Sequence, residues 1–402
     1  MSASKFTKLL HNGFGIKNVI LKVADMVDNV FVFEVAMKCS LKKCSKCRSS
    51  NVQIKDSKTR KLRMVPLGNL ACWLHIKVYK FFCKDCGCSA WVKLPFAAGK
   101  FPMTVAYVNY TLSLVKFGTI QAVAKFLGIQ WKTVRNIHKQ HLQKKYKKVN
   151  YKKLCYISMD EFSIKKGHKY MTVFLDLRSG RIIYACEGRS IENIEPFLQT
   201  LKKRAHNLKA IAMDLSPTYI SAVKNILPNV AIVFDRFHVV KLHNDMMDEL
   251  RKTERAKCLQ EGLEIGKGDR FLFLKNFENL DMNQKEKLQK LLEINKVLAT
   301  AYALKEQFRT FWDKGSRKEA SRFLFEWILT AILSDIPVLQ KMAHSMLKHS
   351  DGLLAYYEHP ISNAKIEGTN NKIKCKKRQG YGYRDIDYFT LLLYDLHNDK
   401  AA

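Results

Sequence analysis

The sequence predicts a multidomain α/β protein whose largest part is a mixed five-stranded sheet with flanking helices. Three observations carry that expectation. Between residues 154 and 235 the apolar pattern gives three successive strands and then alternates helix with strand. Seven of the 11 cysteines lie before residue 90, four of them in two CxxC pairs. Between these regions, residues 120–139 have the spacing of two short helices about a tight turn. With 402 residues and 47% apolar composition, the chain can bury more than one core.

Charge narrows what such a chain does. Lys and Arg number 70 against 36 Asp and Glu, a net charge of 70 − 36 = +34. An excess of that size repels itself in a compact fold and suits a polyanionic partner. The basic residues are spread along the chain and form no single amphipathic anchor, which favours nucleic acid over a membrane surface. The N-terminal "MSASKFTKLLHNGFG" lacks the apolar stretch of a signal peptide. The most apolar later segment, "FLFEWILTAILSDIPVL", is broken by Glu326 and Asp335 and is unsuited to spanning a bilayer. The expectation is a soluble, cytoplasmic protein whose cysteines are thiols or metal ligands instead of disulfides.

The two cysteine pairs are Cys44-x2-Cys47 and Cys83-x2-Cys86. Two such knuckles supply four thiolates in the tetrahedral array that structural Zn²⁺ requires. Between them "KLRMVPLGNLACWLHIKVYKFF" alternates apolar and polar residues like the strands of a ribbon. Gly87 follows the second pair, where a knuckle wants a left-handed residue. Arg48 holds the matching place after the first pair and is expected to weaken it. Cys88 or His75 could replace one ligand, and Cys39, Cys72 and Cys88 otherwise read as buried free thiols. No βαβ pattern surrounds either pair, which argues against a thioredoxin-like redox role. Residues 1–98 are thus expected to form a zinc-binding β domain.

"IQAVAKFLGIQWKTVRNIHK" fits a helix-turn-helix. Ala124 is the small residue where two helices touch, and Gly128 makes the turn. Val123, Leu127, Ile129, Val134 and Ile137 take the apolar packing positions. The second helix then points Gln130, Trp131, Lys132, Thr133, Arg135 and Asn136 outward, a set suited to a major groove and its flanking phosphates. The plainer reading is an ordinary helical hairpin. The basic face, followed by "KKYKKVNYKK", favours DNA, with Lys144 and Lys145 as phosphate contacts. Residues 99–150 are read as this DNA-binding domain and a basic linker.

From residue 154, "LCYISMD", "KYMTVFLDLRSG" and "RIIYACEGR" are strands, and Ser179-Gly180 is a hairpin turn. "IENIEPFLQTLKKRA" is a helix, "LKAIAMD" a strand, "PTYISAVKNIL" a helix opened by Pro217, and "NVAIVFD" a strand. The order β-β-β-α-β-α-β is that of a ribonuclease-H-like domain, in which the first and fourth strands are neighbours. Asp160 and Asp214 then stand side by side at strand ends. Two like charges so placed are unfavourable unless divalent cations bridge them. Two-metal phosphoryl transfer needs such a clamp, with metals about 4 Å apart. A third carboxylate is expected from "HPISNAKIEGTNNKIKCKKRQGYGYRD", where Ser362 can cap a helix. On it Asn363, Glu367, Asn370 or Asn371, and Lys374 share one face. Glu161 is a rival to Asp160 but should face the other side of the strand. Asp235 competes with Asp214, and Glu358 with Glu367. His238 is either a phosphate-positioning group or a core histidine.

The motifs "SMDEF", "YMTVFLDLRSGRI", "AMDLSPTY", "FDRFHVVK" and "SNAKIEGTNNKIK…GYGYRD" together carry a resemblance. Over nearly its full length the sequence resembles bacterial insertion-sequence transposases of the ISL-three (ISL3) family, which are of DDE type. The resemblance implies a ribonuclease-H-like catalytic domain at 151–402 with an all-α insertion at about 240–355. It implies that Asp160, Asp214 and Glu367 bind Mg²⁺ (or Mn²⁺), and Asp235-x2-His238 is similar to the D-x2-H signature of several DDE families. Cleavage would free a 3′-hydroxyl at the transposon end, which then attacks target DNA. Asn370 and Lys374 would contact the DNA backbone. The implied partners are double-stranded DNA, as transposon ends and target, and further copies of the chain, in a bacterial, nucleoid-associated setting without a membrane. Two other classes share part of the pattern: a DNA-binding regulator derived from a transposase, and a metal-dependent nuclease or resolvase without strand transfer. The three intact acids favour activity over the first. The pairing of a zinc domain with a helix-turn-helix favours transposition over the second.

Overall fold

A computed structural model describes residues 3–38, 43–146, 149–165, 169–260, 268–362 and 364–397. Cys39 and Asn363 lie outside the described residues. The chain divides into two compact units, Met1–Lys144 and Lys145–Ala402.

The first unit opens with α1 (Ala3–Lys8) and continues into strands β1 (Val19–Val27), β2 (Val30–Met37), β3 (Val52–Leu67), β4 (Leu70–Cys83) and β5 (Ser89–Trp91). They form one sheet in the order β1-β2-β4-β3, with β5 paired to β4. The period-2 pattern of β4 buries Cys72, Leu74, Ile76 and Val78 against Phe33, Val35 and Leu62. Cys72 is buried in this core, as expected. Three helices follow: α2 (Val105–Val115), α3 (Ile120–Leu127) and α4 (Trp131–Lys145). The Thr104 and Thr119 side chains accept from the backbone N–H groups of Tyr107 and Ala122, which caps α2 and α3. Gly128 closes α3 in the left-handed region at φ 59°, and Val123, Ala124, Leu127, Val134 and Ile137 are buried between the helices.

In the second unit β6 (Tyr156–Lys165), β7 (Lys169–Asp176) and β8 (Ile182–Glu187) run antiparallel. Then α5 (Ile191–Arg204), β9 (Ala210–Met213), α6 (Pro217–Ile226) and β10 (Ala231–Phe234) alternate. The sheet order is β10-β9-β6-β7-β8, with β10, β9 and β6 parallel. This is the mixed five-stranded sheet expected, with the first and fourth strands adjacent.

Helices α7 (Arg236–Gln260), α8 (Arg270–Leu274), α9 (Met282–Ile294), α10 (Lys296–Phe308), α11 (Arg317–Leu333), α12 (Pro337–Lys348) and α13 (Ser350–Leu354) follow. They extend the apolar core that lies under α5 and α6, around Trp327, Phe308 and Phe311. Gly352 lies so close to β10 that a Cβ there would meet the Phe234 ring at 2.3 Å. The opposite face of the sheet is covered by α14 (Ala364–Gln379) and α15 (Ile386–Asp395) through Ile366, Ile373, Phe389 and Leu393. Among the described residues no helix is long and apolar enough to cross a membrane.

Candidate active site and DNA-binding elements

Strand register brings the first two acids together. Ser158 pairs with Ala212 in the parallel β6–β9 ladder, so two residues further Asp160 stands beside Asp214. Met213 pairs with Phe234, so one residue further Asp235 stands on the other side of Asp214. The pleat decides the faces. Ile157 and Met159 pack under α5 and α6, whereas Phe162 packs under α14 and α15, so Asp160 faces α14. Glu161 faces the other way, as expected. It accepts from Tyr219 Oη at 3.2 Å and Arg189 at 3.3 Å.

Asp160 is largely desolvated, and each of its oxygens is held. Oδ1 accepts the Glu161 N–H at 2.8 Å, and Oδ2 accepts Asn370 Nδ2 at 2.6 Å. Burial raises its pKa, against the lowering effects of the Glu161 N–H, His238 and Asn370, and neighbouring Asp214 raises it further. Asp214 Oδ1 accepts the Ser216 N–H at 3.1 Å, at the start of α6. His238 Nδ1 lies 2.9 Å from Asp235 Oδ2. That hydrogen bond raises the His238 pKa against desolvation, and the charges of Asp235, Asp160 and Asp214 raise it further. His238 is partly exposed, and its hydrogen bond to Asp235 favours the protonated ring. The core histidine is His243, between Phe308 and Trp327, where burial pushes its pKa down to about 3.

Glu367 is exposed on α14, one turn before Asn370, and Lys374 is exposed one turn after it. Helix α14 is pinned along β6 by Lys365 Nζ donating to Leu177 O at 2.6 Å and Lys377 Nζ donating to Ser163 O at 2.9 Å. Among the described residues, the one set of three or more potential ligand atoms within 4.8 Å of one another belongs to the four cysteines. Asp160, Asp214 and Glu367 are not gathered to that distance. Glu358 is engaged by Arg317. The bond from Asn370 to Asp160 was not legible in the sequence, where Asn370 reads as a DNA contact.

The four cysteines of the N-terminal knuckles converge. Cys44 Sγ lies 3.6 Å from Cys86 Sγ, and Cys47 Sγ 3.5 Å from Cys83 Sγ. A tetrahedron with metal–sulfur bonds of about 2.3 Å has edges of about 3.8 Å, so the thiols fit zinc. Cys88 and His75 are not in the cluster. The knuckles match one another. Arg48 N–H donates to Cys44 O at 3.1 Å as Gly87 N–H does to Cys83 O at 3.0 Å, and both residues are left-handed, at φ 65° and 67°. Arg48 therefore does not disturb the first knuckle. It adopts the glycine conformation at a cost of about 1 kcal/mol. Backbone N–H groups of Cys47 and Lys46 hold the Cys44 thiol down to about 6, which favours the thiolate.

Gln130, just before α4, and Trp131, Lys132 and Asn136 on it are exposed, and Thr133 and Arg135 are half-buried. The Arg135 guanidinium lies 5.3 Å from the Trp131 ring centroid and donates to Asn136 Oδ1 at 3.3 Å. The outward face is thus pre-ordered by its own contacts. Lys145 departs from the sequence reading, because it forms an ion pair with Asp395 at 2.9 Å.

Comparison with known proteins agrees with this architecture. Residues 157–393 match the ISL3 family model described as Transposase. Residues 40–86 match the zinc-finger of transposase IS204/IS1001/IS1096/IS1165. The transposase for insertion sequence element IS1001 of Bordetella parapertussis is 31% identical over 352 residues, covering 87% of each chain. The transposase for insertion sequence element IS1557 of Mycobacterium tuberculosis is 26% identical over 378 residues, covering 86% of this chain and 83% of that one. A chain of the Drosophila P element transposase strand transfer complex aligns with a TM-score of 0.39 at 11% identity, over 73% of this chain and 92% of that one. With a zinc-ribbon segment at its N-terminal end and the transposase domain over most of the rest, the chain belongs to the ISL3 family of insertion-sequence transposases and is a DNA transposase.

Proposed function

We propose that this transposase works by the DDE mechanism, with Asp160, Asp214 and Glu367 holding two Mg²⁺ (or Mn²⁺) ions. The observation that carries the reading is the parallel register that aligns Asp160 with Asp214, on the sheet face over which α14 presents Asn370 and Glu367. Divalent cations there would neutralise phosphate charge and ease deprotonation of the attacking hydroxyl. The chain's own residues prepare the site. Asn370 and the Glu161 N–H fix both Asp160 oxygens, and Ser216 fixes Asp214. Asp235 holds His238 beside the acids and favours its protonated form, which would offer positive charge to a DNA phosphate. Cleavage then frees a 3′-hydroxyl at the element end, and that hydroxyl attacks the target strand.

In this reading residues 1–98 form a zinc-binding domain, 99–150 a helix-turn-helix with a basic linker, and 151–402 the catalytic domain with its helical insertion at about 240–355. Joining two ends to one target calls for more than one copy of the chain. The net charge of +34 then serves to hold several DNA segments, with the protein on the bacterial nucleoid. The deciding experiment incubates purified protein and Mg²⁺ with a duplex carrying the inverted repeats that border this gene, and with a target plasmid. Joined products are expected. Nicking without joining would make the protein a nuclease, and end binding without nicking would make it a regulator.

Two further results are expected. Reduced, freshly prepared protein should carry about one zinc per chain, and Cys83→Ser should lose it, together with the roughly 10 kcal/mol or more that zinc adds to such folds. Metal analysis finding no zinc would refute the site. Arg135→Ala should weaken binding to the element's ends more than to random duplex. Lys144→Ala, at a phosphate contact, should weaken both alike. Equal losses for Arg135→Ala would remove it from base reading.

A further inference from the structure

The outer face of β3 and β4 takes no part in the cysteine cluster and meets the helix pair at its Arg63 end. In β3 from Lys61 to Met64, and along β4 from Ala71 to Val78, burial alternates. Leu62 and Met64, with Leu74 and Ile76, point into the core, so Lys61, Arg63, Trp73, His75 and Lys77 point out. The antiparallel register sets these residues in three rungs: Thr59 opposite Lys77, Lys61 opposite His75, and Arg63 opposite Trp73. Thr59, Lys61 and Lys77 are exposed. Adjacent positive groups on neighbouring strands repel. After burial, the Lys61 charge is what lowers the His75 pKa, and Glu34 on β2 offsets it in part. Such a stripe is electrostatically costly on its own and is relieved by an anion.

The third rung joins the sheet to the helix-turn-helix. Arg63 donates to Leu127 O at 2.7 Å and Gly128 O at 3.3 Å, carbonyls left over at the end of α3. Its guanidinium lies 5.8 Å from the Trp73 ring centroid and 5.6 Å from that of Tyr107. Its backbone is tied to the approach to α2, with Thr104 N–H donating to Arg63 O at 2.9 Å. A cleft of about 360 Å³ opens here, with Arg63 and Trp73 on one wall and Gln130, Thr133 and Asn136 on the other. The basic stripe therefore begins where the outward face of α4 begins, held in register by one side chain.

We propose that this sheet face is a second DNA-binding surface, which holds the phosphate backbone next to the segment entered by α4. The inference rests on the proposed DNA reading by α4 and adds a partner surface to it. From Thr59 to Arg63 the strand advances about 13 Å, or roughly four base pairs of duplex. The recognition helix and the ribbon then act as one reading head, in which the helix senses bases and the ribbon senses backbone.

The test uses full-length, zinc-loaded protein and two probes, a duplex of the inverted repeat bordering this gene and a random duplex of equal length. In the double variant Lys61→Ala with Lys77→Ala, binding should weaken alike on both probes. The slope of log affinity against log salt should fall by about two. Hydroxyl-radical protection should disappear over about four base pairs beside the α4 footprint, which itself stays. Thr59→Glu, which puts a carboxylate into the stripe, should weaken binding at least as much. Unchanged zinc content and thermal unfolding show that the variants are folded. An unchanged salt slope and footprint in both would overturn the proposal, as would loss of protection confined to the α4 segment. If Arg135→Ala leaves sequence preference intact while the lysine variants still lose slope and protection, the sheet surface stands and the assignment of α4 falls.

Discussion

Asp160→Asn is expected to abolish strand cleavage and to make the protein more stable in the absence of Mg²⁺ or Mn²⁺. The activity loss follows from the removal of one of two adjacent anionic ligands, and it should reach several orders of magnitude. The stability gain follows from desolvation. Burial raises the Asp160 pKa above its ordinary 3.8, and it outweighs the help of the Glu161 N–H, His238 and Asn370. An acid whose pKa is higher folded than unfolded loses stability as pH rises from the unfolded value through the folded one. Asn carries no charge to desolvate, keeps its oxygen for the Glu161 N–H, and can donate its amide to Asn370 Oδ1 once the Asn370 amide turns over. Thermal unfolding of the zinc-loaded protein without added Mg²⁺ or Mn²⁺ should thus show a higher Tm for Asp160→Asn at pH 7, and the difference should vanish below about pH 4. A lower Tm at pH 7 would mean that the carboxylate serves the fold instead of the chemistry. Binding to the element's ends should persist, because the residue is remote in sequence from α4 and carries no positive charge.

Such a cost in a core strand is the kind of local conflict that sequence reading detects well. Two acids read as closing apolar strands of a basic chain are anomalous in composition alone, and the order of strands and helices is enough to make them neighbours. Asp214 does follow β9, but β6 runs on to Lys165, so Asp160 lies within its strand and not at the end that the sequence pattern gave it. The cysteine pairs and the helix-turn-helix were legible for a similar reason, since short-range spacing constrains their geometry. Gly128 and Gly87 mark their turns because few other residues reach positive φ. Arg48 shows the limit of that logic. Two knuckles of matching backbone hydrogen bonds hold it where its own preference would not.

What the sequence did not disclose depends on contacts between distant segments. Asn370 and Asp160 are 210 residues apart, and nothing near either residue signals that the amide fixes the carboxylate. Arg63 reaches the end of α3 across 64 residues, and its role is invisible in a strand pattern that accepts any outward cation. Lys145 reads as a phosphate contact until Asp395 is found beside it. Charge in a one-dimensional pattern reports composition. Only packing reports which charges already have partners.

Glu367→Gln is expected to match Asp160→Asn in activity and to differ from it in stability. Glu367 is exposed, so the substitution removes no buried charge, and its effect on unfolding should stay within about 0.5 kcal/mol. Cleavage and joining should nonetheless fall by several orders of magnitude, with end binding intact. The reason is placement. Lys365, Asn370 and Lys377 pin α14 along β6, and Asn370 touches Asp160 itself. Glu367 lies one turn before Asn370, about 4.5 Å along the helix axis, on the stretch of α14 that Asn370 ties to Asp160. The rival acids are already engaged, Glu161 by Tyr219 and Arg189 and Glu358 by Arg317. Glu161→Gln and Glu358→Gln should therefore cleave at near the parent rate, and they serve as controls in the same assay. Gln keeps the size and hydrogen bonding of Glu367 and removes only its charge, so a collapse of activity without a change in Tm points to cation binding. If Glu367→Gln cleaves in Mg²⁺ at near the parent rate while Glu161→Gln or Glu358→Gln does not, the third ligand is that other acid and the triad must be redrawn.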